Sequence, residues 1–126
     1  MTAQKALPYT PWLRWLPALL YAGLIFVASS TPQPIPIIPI PHADKGIHFM
    51  EFAILSLLLC WALEPSGRPL KRSVFLAIII SSLYGASDEF HQTFTPTRTA
   101  EVTDWLADSL GAIVMGVLWY RWKGPV

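Results

Sequence analysis

Four apolar runs of about 20 residues each govern what this chain can fold into. They cover about Pro11–Ser30, Asp44–Leu63, Arg72–Gln92 and Val102–Trp122. A helix of that length crosses roughly 30 Å of hydrocarbon. Backbone amides and carbonyls in lipid must pair within their own segment, which a helix achieves and an open strand does not. The expected fold class is therefore all-α, a polytopic membrane bundle of four transmembrane helices forming a single domain over residues 1–126. Composition agrees. Hydrophobic residues make up 53% of the chain and charged residues 13%, against about 25% charged in a soluble domain.

Pro17 lies inside the first run and predicts either a kink or a preceding turn in the membrane interface. Trp12, Trp15, Trp119, Tyr120 and Trp122 gather at the outer ends of the first and fourth runs, as aromatic belts do. Lys5, the apolar stretch after Leu16 and Ala28-Ser29-Ser30 also resemble a secretory leader. The apolar stretch is about 18–20 residues, longer than the usual leader core of roughly 7–15, which favours a retained helix. Residues 31–43 carry prolines at 32, 34, 36, 39 and 41 and should be extended, either as a stiff spacer or as a cover over the outer mouth.

Lys5, Arg14, Arg68, Lys71, Arg72, Arg121 and Lys123 fall at segment ends that share one side, leaving only Lys45 and Arg98 for the other. The positive-inside rule then puts both termini in the cytoplasm. The loops after runs one and three should lie on the extracytoplasmic side of the cytoplasmic (inner) membrane. Net charge is +1, and no basic patch suggests nucleic acid as a partner. Cys60 is the single cysteine, so it forms no internal disulfide and no thiolate metal motif; it should be packed or lipid-facing.

Polar residues concentrate at three segment ends on that second side. In run two, Asp44, His48 and Glu51 recur at i, i+4 and i+7 on one helical face, with Lys45 beside it. In run three, Tyr84, Asp88, His91 and Gln92 share a face, and Glu89 points about 100° away from Asp88. In run four, Glu101, Asp104 and Asp108 form a stripe continued by Gly111 and Ala112. Glu51 and Asp108 fall roughly 5–10 Å inside their helix starts, where a carboxylate has to turn inward and find partners. Single residues have simpler readings. Asp44 and Asp104 fit helix caps, Lys45 and Arg98 fit snorkelling anchors, and His48 fits a helix-packing partner. His42 fits a solvated loop position, and Gly85, Ala86, Ala107, Gly111, Ala112 and Gly116 fit close helix packing. Caps and anchors do not explain Glu51, Asp88, His91 and Asp108 together.

These motifs resemble the VanZ-like family, named for a protein associated with teicoplanin resistance. The resemblance rests on Asp44-Lys45-x-x-His48-Phe49-x-Glu51-Phe52, on Asp88-Glu89-x-x-Gln92 with Pro96 and Arg98, and on Glu101-Val102-x-Asp104-x-x-Ala107-Asp108-x-x-Gly111-Ala112 with Gly116. It covers about Asp44 to Gly116. Thr97 stands where the family usually has glycine. The resemblance implies a small helical membrane protein, of bacterial cell-envelope type, with its polar motifs at one membrane face; it implies no settled reaction.

One reading is an enzyme of lipid-headgroup or lipid-linked cell-envelope-precursor chemistry. His48, Glu51, Asp88, Glu89, His91, Asp104 and Asp108 are its candidate catalytic residues, with His48 or His91 as base and Asp88 orienting it or binding a divalent metal. Lys45 and Arg98 would hold a phosphate, with Gln92, Asp44 and Tyr84 as further substrate-binding candidates. The alternative is a binding protein without chemistry, a salt-bridged cup for a glycopeptide antibiotic, a lipid headgroup or a membrane partner. Proton or ion transport fits less well, because residues 53–63 and 73–80 are nearly all apolar and give no polar path to the other side.

Overall fold

The computed structural model describes residues 10–32, 40 and 42–124. A 3-10 turn over Pro11–Trp15 leads into helix α1 (Leu16–Ser30). Helix α2 (Ala43–Leu63) follows, then a 3-10 turn over Glu64–Ser66, helix α3 (Leu70–Gln92) and helix α4 (Val102–Lys123). Among the described residues there is no strand. The expected extended course of 31–43 falls mainly on residues 33–39 and 41, which lie outside the described residues, as does Lys5.

Pro17 produces a turn rather than a kink. It sits in the first turn of α1, where its missing N–H has no bond to lose, and the tighter 3-10 turn precedes it. Helix α3 starts at Leu70, two residues earlier than its apolar run, because the carbonyl of Pro69 accepts the Arg72 and Ser73 amides at 3.0 and 3.2 Å. Gly67 turns the chain between α2 and α3 with φ of 73°, a conformation that disfavours other residues.

Helix α2 runs through the middle of the bundle, with α4 as its principal neighbour and α3 next. Its face of Phe52, Leu55, Leu59, Cys60 and Leu63 packs with Val74 and Ala77 of α3, Trp119 of α4, and Ala18 and Ile25 of α1. Cys60 is thus a packed thiol. The α2–α4 approach depends on Gly111, where an added Cβ would run into the carbonyl of Phe49. At Gly116 a Cβ would meet Ile78 at 2.7 Å, and Ser56 donates to the Ala112 carbonyl at 2.9 Å. Small residues here let backbones meet, as expected for helices packed in lipid. Ala86 is the exception; it is exposed.

The outer surface is apolar. Leu19, Leu20, Leu24 and Val27 of α1, Phe75 and Leu83 of α3, and Leu110 and Leu118 of α4 are all exposed. All four spans are long and apolar enough to cross a membrane, and the chain is a multi-pass membrane protein. At one end of the bundle Glu64 joins three segments. Arg14 donates to it at 3.3 Å, Lys123 pairs with it at 3.3 Å, and the Arg14 guanidinium lies over the Trp61 ring at 4.2 Å. The acidic side chains of α2, α3 and α4 gather at the opposite end.

Candidate functional site

At that opposite end, the start of α2 meets the end of α3, the α3–α4 turn and the start of α4. Neither Asp44 nor Asp104 is a cap. The capping positions are His42 and Glu101, neither with a side-chain capping bond, and the two aspartates sit in the first turns. The positive helix ends still favour carboxylates there, but the side chains reach outward to a shared partner. Lys45 Nζ donates to Asp44 Oδ2 at 2.9 Å, Glu101 Oε2 at 2.6 Å and Asp104 Oδ1 at 2.5 Å. The bond from Lys45 to Glu101, and the Lys45 charge, hold the exposed Glu101 carboxyl below the usual carboxylate range. Lys45 is therefore neither a free anchor nor a free phosphate ligand; its charge is taken up by three carboxylates.

One turn deeper, Asp108 is fully buried at 0% exposure, and its Oδ1 lies 2.8 Å from His48 Nδ1. A carboxylate only accepts, so His48 donates Nδ1–H to Asp108. Nε2 lies 3.6 Å from Asp104 Oδ2. Helix α3 contributes two neighbouring acids near this pair. Asp88 lines the recess, with Gln92 Nε2 donating to its Oδ2 at 3.4 Å. Glu89, 7% exposed, turns towards α4. Its Oε2 accepts the Glu101 amide at 3.0 Å, and its Oε1 sits 4.0 Å from His48 Nδ1 with no hydrogen-bond partner. The angular separation of the two acids thus sends Asp88 to the recess and Glu89 towards the start of α4.

A recess of about 300 Å³ opens beside these groups. His48, Glu51, Asp88, Gln92, Arg98 and Asp104 line it, with Asp44 and Glu101 at its rim and Ile25, Ala28 and Ser29 of α1 along one wall. Glu51 has no hydrogen-bond partner among the described residues. Arg98 closes the wall against α1, donating from Nε to the Thr31 carbonyl at 3.1 Å and from Nη2 to the Ala28 carbonyl at 2.9 Å. Among the described residues it has no carboxylate partner within ion-pair distance, although Glu51 and Asp88 share the recess with it.

Two expected site residues face elsewhere. Tyr84 donates its hydroxyl to the Ala22 carbonyl at 2.5 Å, and His91 contacts Ser30 Oγ through Nε2 at 2.7 Å and stacks on Phe26 at 4.6 Å. Both fasten α3 to α1 and are absent from the recess wall. Their shared face with Asp88 is real, but α1 occupies its outer part. Conversely, Ser29, Thr97 and Thr99 line the recess without having been singled out. Ser29 sits in an apolar run with no polar periodicity to mark it. Thr97 carried the one available signal, its place where glycine is usual, and its φ is 67°. That left-handed conformation explains the preference for glycine.

Two groups of side chains have the spacing of cation ligands. One ligand atom from each of Asp44, Glu101 and Asp104 lies within 4.8 Å of the others, and the Lys45 ammonium already serves these three. His48, Glu89 and Asp104 form the second group, at the same spacing.

Comparison with known proteins agrees with this architecture. The sequence model of the family described as VanZ/LLP1 matches residues 6–123. An uncharacterized protein of the fission yeast Schizosaccharomyces pombe is 32% identical over 90 residues, which are 68% of this chain and 54% of that protein. The chain therefore spans about half the length of this eukaryotic relative. No solved structure matches. The family match runs from ahead of the first turn to the last residue of α4, across every element that builds the recess, and so the chain belongs to the VanZ/LLP1 family.

Proposed function

We propose that the recess receives the headgroup of a membrane lipid, or of a lipid-linked envelope precursor, and carries out acid–base chemistry on it. The observation that carries this reading is the make-up of the recess: ionisable side chains from three helices open into it beside apolar residues of α1 and α2. Ile25 and Ala28 line it from α1, and the exposed Ile47 stands at its edge. A charged group tethered to acyl chains matches such a mixed mouth. Arg98, with no carboxylate in contact, offers the positive charge that a phosphodiester needs. Glu51 has free lone pairs to take a proton from water or a headgroup hydroxyl, and Asp88 of the same recess is its partner. The Asp108–His48 pair fixes the floor.

Orientation belongs to the same proposal. Arg14, Arg68, Lys71, Arg72, Arg121 and Lys123 lie at the end opposite the recess, with Glu64 as the acid there. The positive-inside rule puts that end in the cytoplasm and the recess at the extracytoplasmic face. Lipid mass spectrometry on cells with and without the protein tests the reading. Wild type should change the abundance of a phosphate-bearing lipid species, and Asp88→Asn, at equal expression, should not. If wild type produces no lipid change while still retaining a bound lipid or glycopeptide, the recess is a binding cup without chemistry.

A further inference from the structure

We propose that His48, Glu89 and Asp104 together hold a divalent transition-metal ion at the floor of the recess. This deepens the headgroup reading by naming a further component of the same site, but it rests on separate geometry.

The first support is spacing. One ligand atom from each of the three residues lies within 4.8 Å of the other two. Donor atoms around an ion with bonds of about 2.0–2.2 Å sit about 3–4 Å apart, and His48 Nε2 and Asp104 Oδ2 are 3.6 Å apart. That gap falls within the range expected of two atoms bound to one ion.

The second support is an unanswered donor. Glu89 is 7% exposed, and its Oε1 has no partner although its atom surface is buried. A buried carboxylate oxygen left without a bond is costly. It lies on the His48 side of the site, 4.0 Å from Nδ1. The region also carries seven carboxylates (Asp44, Glu51, Asp88, Glu89, Glu101, Asp104 and Asp108) against the cations Lys45 and Arg98. A doubly charged ion offsets part of that excess.

The third support is orientation of each ligand by an outer partner, the usual construction around a bound metal. Asp108 accepts from His48 Nδ1 at 2.8 Å and turns Nε2 inward. The Glu101 amide holds Glu89 Oε2 at 3.0 Å and frees Oε1. Lys45 holds Asp104 Oδ1 at 2.5 Å and frees Oδ2. One imidazole and two carboxylates suit Mn²⁺ or Zn²⁺. His48 and Asp104 line the recess, so the ion would meet solvent and a headgroup phosphate there.

The test uses the purified full-length chain in detergent, stripped with chelator and titrated with Mn²⁺, with free Mn²⁺ read by electron paramagnetic resonance. Wild type should take up one ion per chain, released by Zn²⁺. Glu89→Gln and Asp104→Asn should each weaken uptake about tenfold or more. Glu64→Gln, at the other end of the bundle, should bind as wild type does. Mn²⁺ should also raise the melting temperature of wild type and not of Glu89→Gln, which separates lost binding from lost folding. Wild type that takes up neither ion at millimolar concentration, or Glu89→Gln and Asp104→Asn that bind like wild type, overturns the proposal. Metal uptake without any lipid change removes the headgroup reading and leaves the metal site; a lipid change in a chain that binds no metal does the reverse.

Discussion

Thr97 shows how one residue can record a constraint on the whole site. Its φ of 67° puts a β-branched side chain in the left-handed region, just before the arginine that closes the recess. Thr97→Gly relieves that strain and should raise stability by up to about 1 kcal/mol, the strain relieved exceeding the added chain freedom. A lower thermal midpoint in detergent would contradict this. Gly111 constrains in the opposite sense. Its substitution by alanine drives a methyl into the Phe49 carbonyl and should cost about 1–3 kcal/mol, read in the same melt. Glu101 supplies a pH prediction. Its folded-state pKa is depressed by the Lys45 hydrogen bond, so the contribution of the pair is present above the ordinary carboxylate pKa of about 4.3 and is lost as pH falls through the folded value. Carbon-detected NMR of Glu101 should show its titration move up towards the ordinary value in Lys45→Met; an unchanged titration would separate Glu101 from Lys45.

At the scale of the helix, what was legible depended on whether one segment or several decided the outcome. The spans could be read because length and hydropathy are properties of a single segment, and their ends moved by at most two residues where Pro69 begins α3 early. The face of Asp44, His48 and Glu51 could be read because α2 alone fixes it, and His48 and Glu51 do line the recess. Tyr84 and His91 could not be placed from α3 alone, since the position of α1 decides whether their face meets the site or a neighbour. The partners of Lys45 were hidden for a similar reason. They come from residues 44, 101 and 104, and only the meeting of α2 with α4 brings them together. Helix α1 itself buries only Ala18, Ile25 and Ser29; a bond from Tyr84 ties its middle, and bonds from His91, Thr95 and Arg98 tie its far end. Those bonds define a wall that polar contacts hold more than packing does. Arg98→Ala should therefore speed hydrogen exchange of the α1 amides near Ala28 while leaving those of α2 unchanged. Equal protection in the variant would mean that packing alone holds the wall.

For the molecule as a whole, charge separates along the bundle axis: seven of the eight acidic residues lie at the recess end, and most of the cations lie at the other. That polarity sets the proposed orientation, and site-directed labelling in a Cys60→Ala background checks it. A cysteine in place of Thr99 should react with an impermeant maleimide on intact cells, and one in place of Arg68 only after permeabilisation; the reverse pattern would turn the recess to the cytoplasm. Chemistry on a headgroup is the claim on which most depends, and the purified protein reconstituted in vesicles of host lipid tests it most directly. Mass spectrometry should find a phosphate-bearing lipid converted over time by wild type and unconverted by Glu51→Gln, whose fold and lipid binding are retained. Identical lipid profiles for wild type, Glu51→Gln and empty vesicles, with Mn²⁺ or Zn²⁺ supplied, would contradict it.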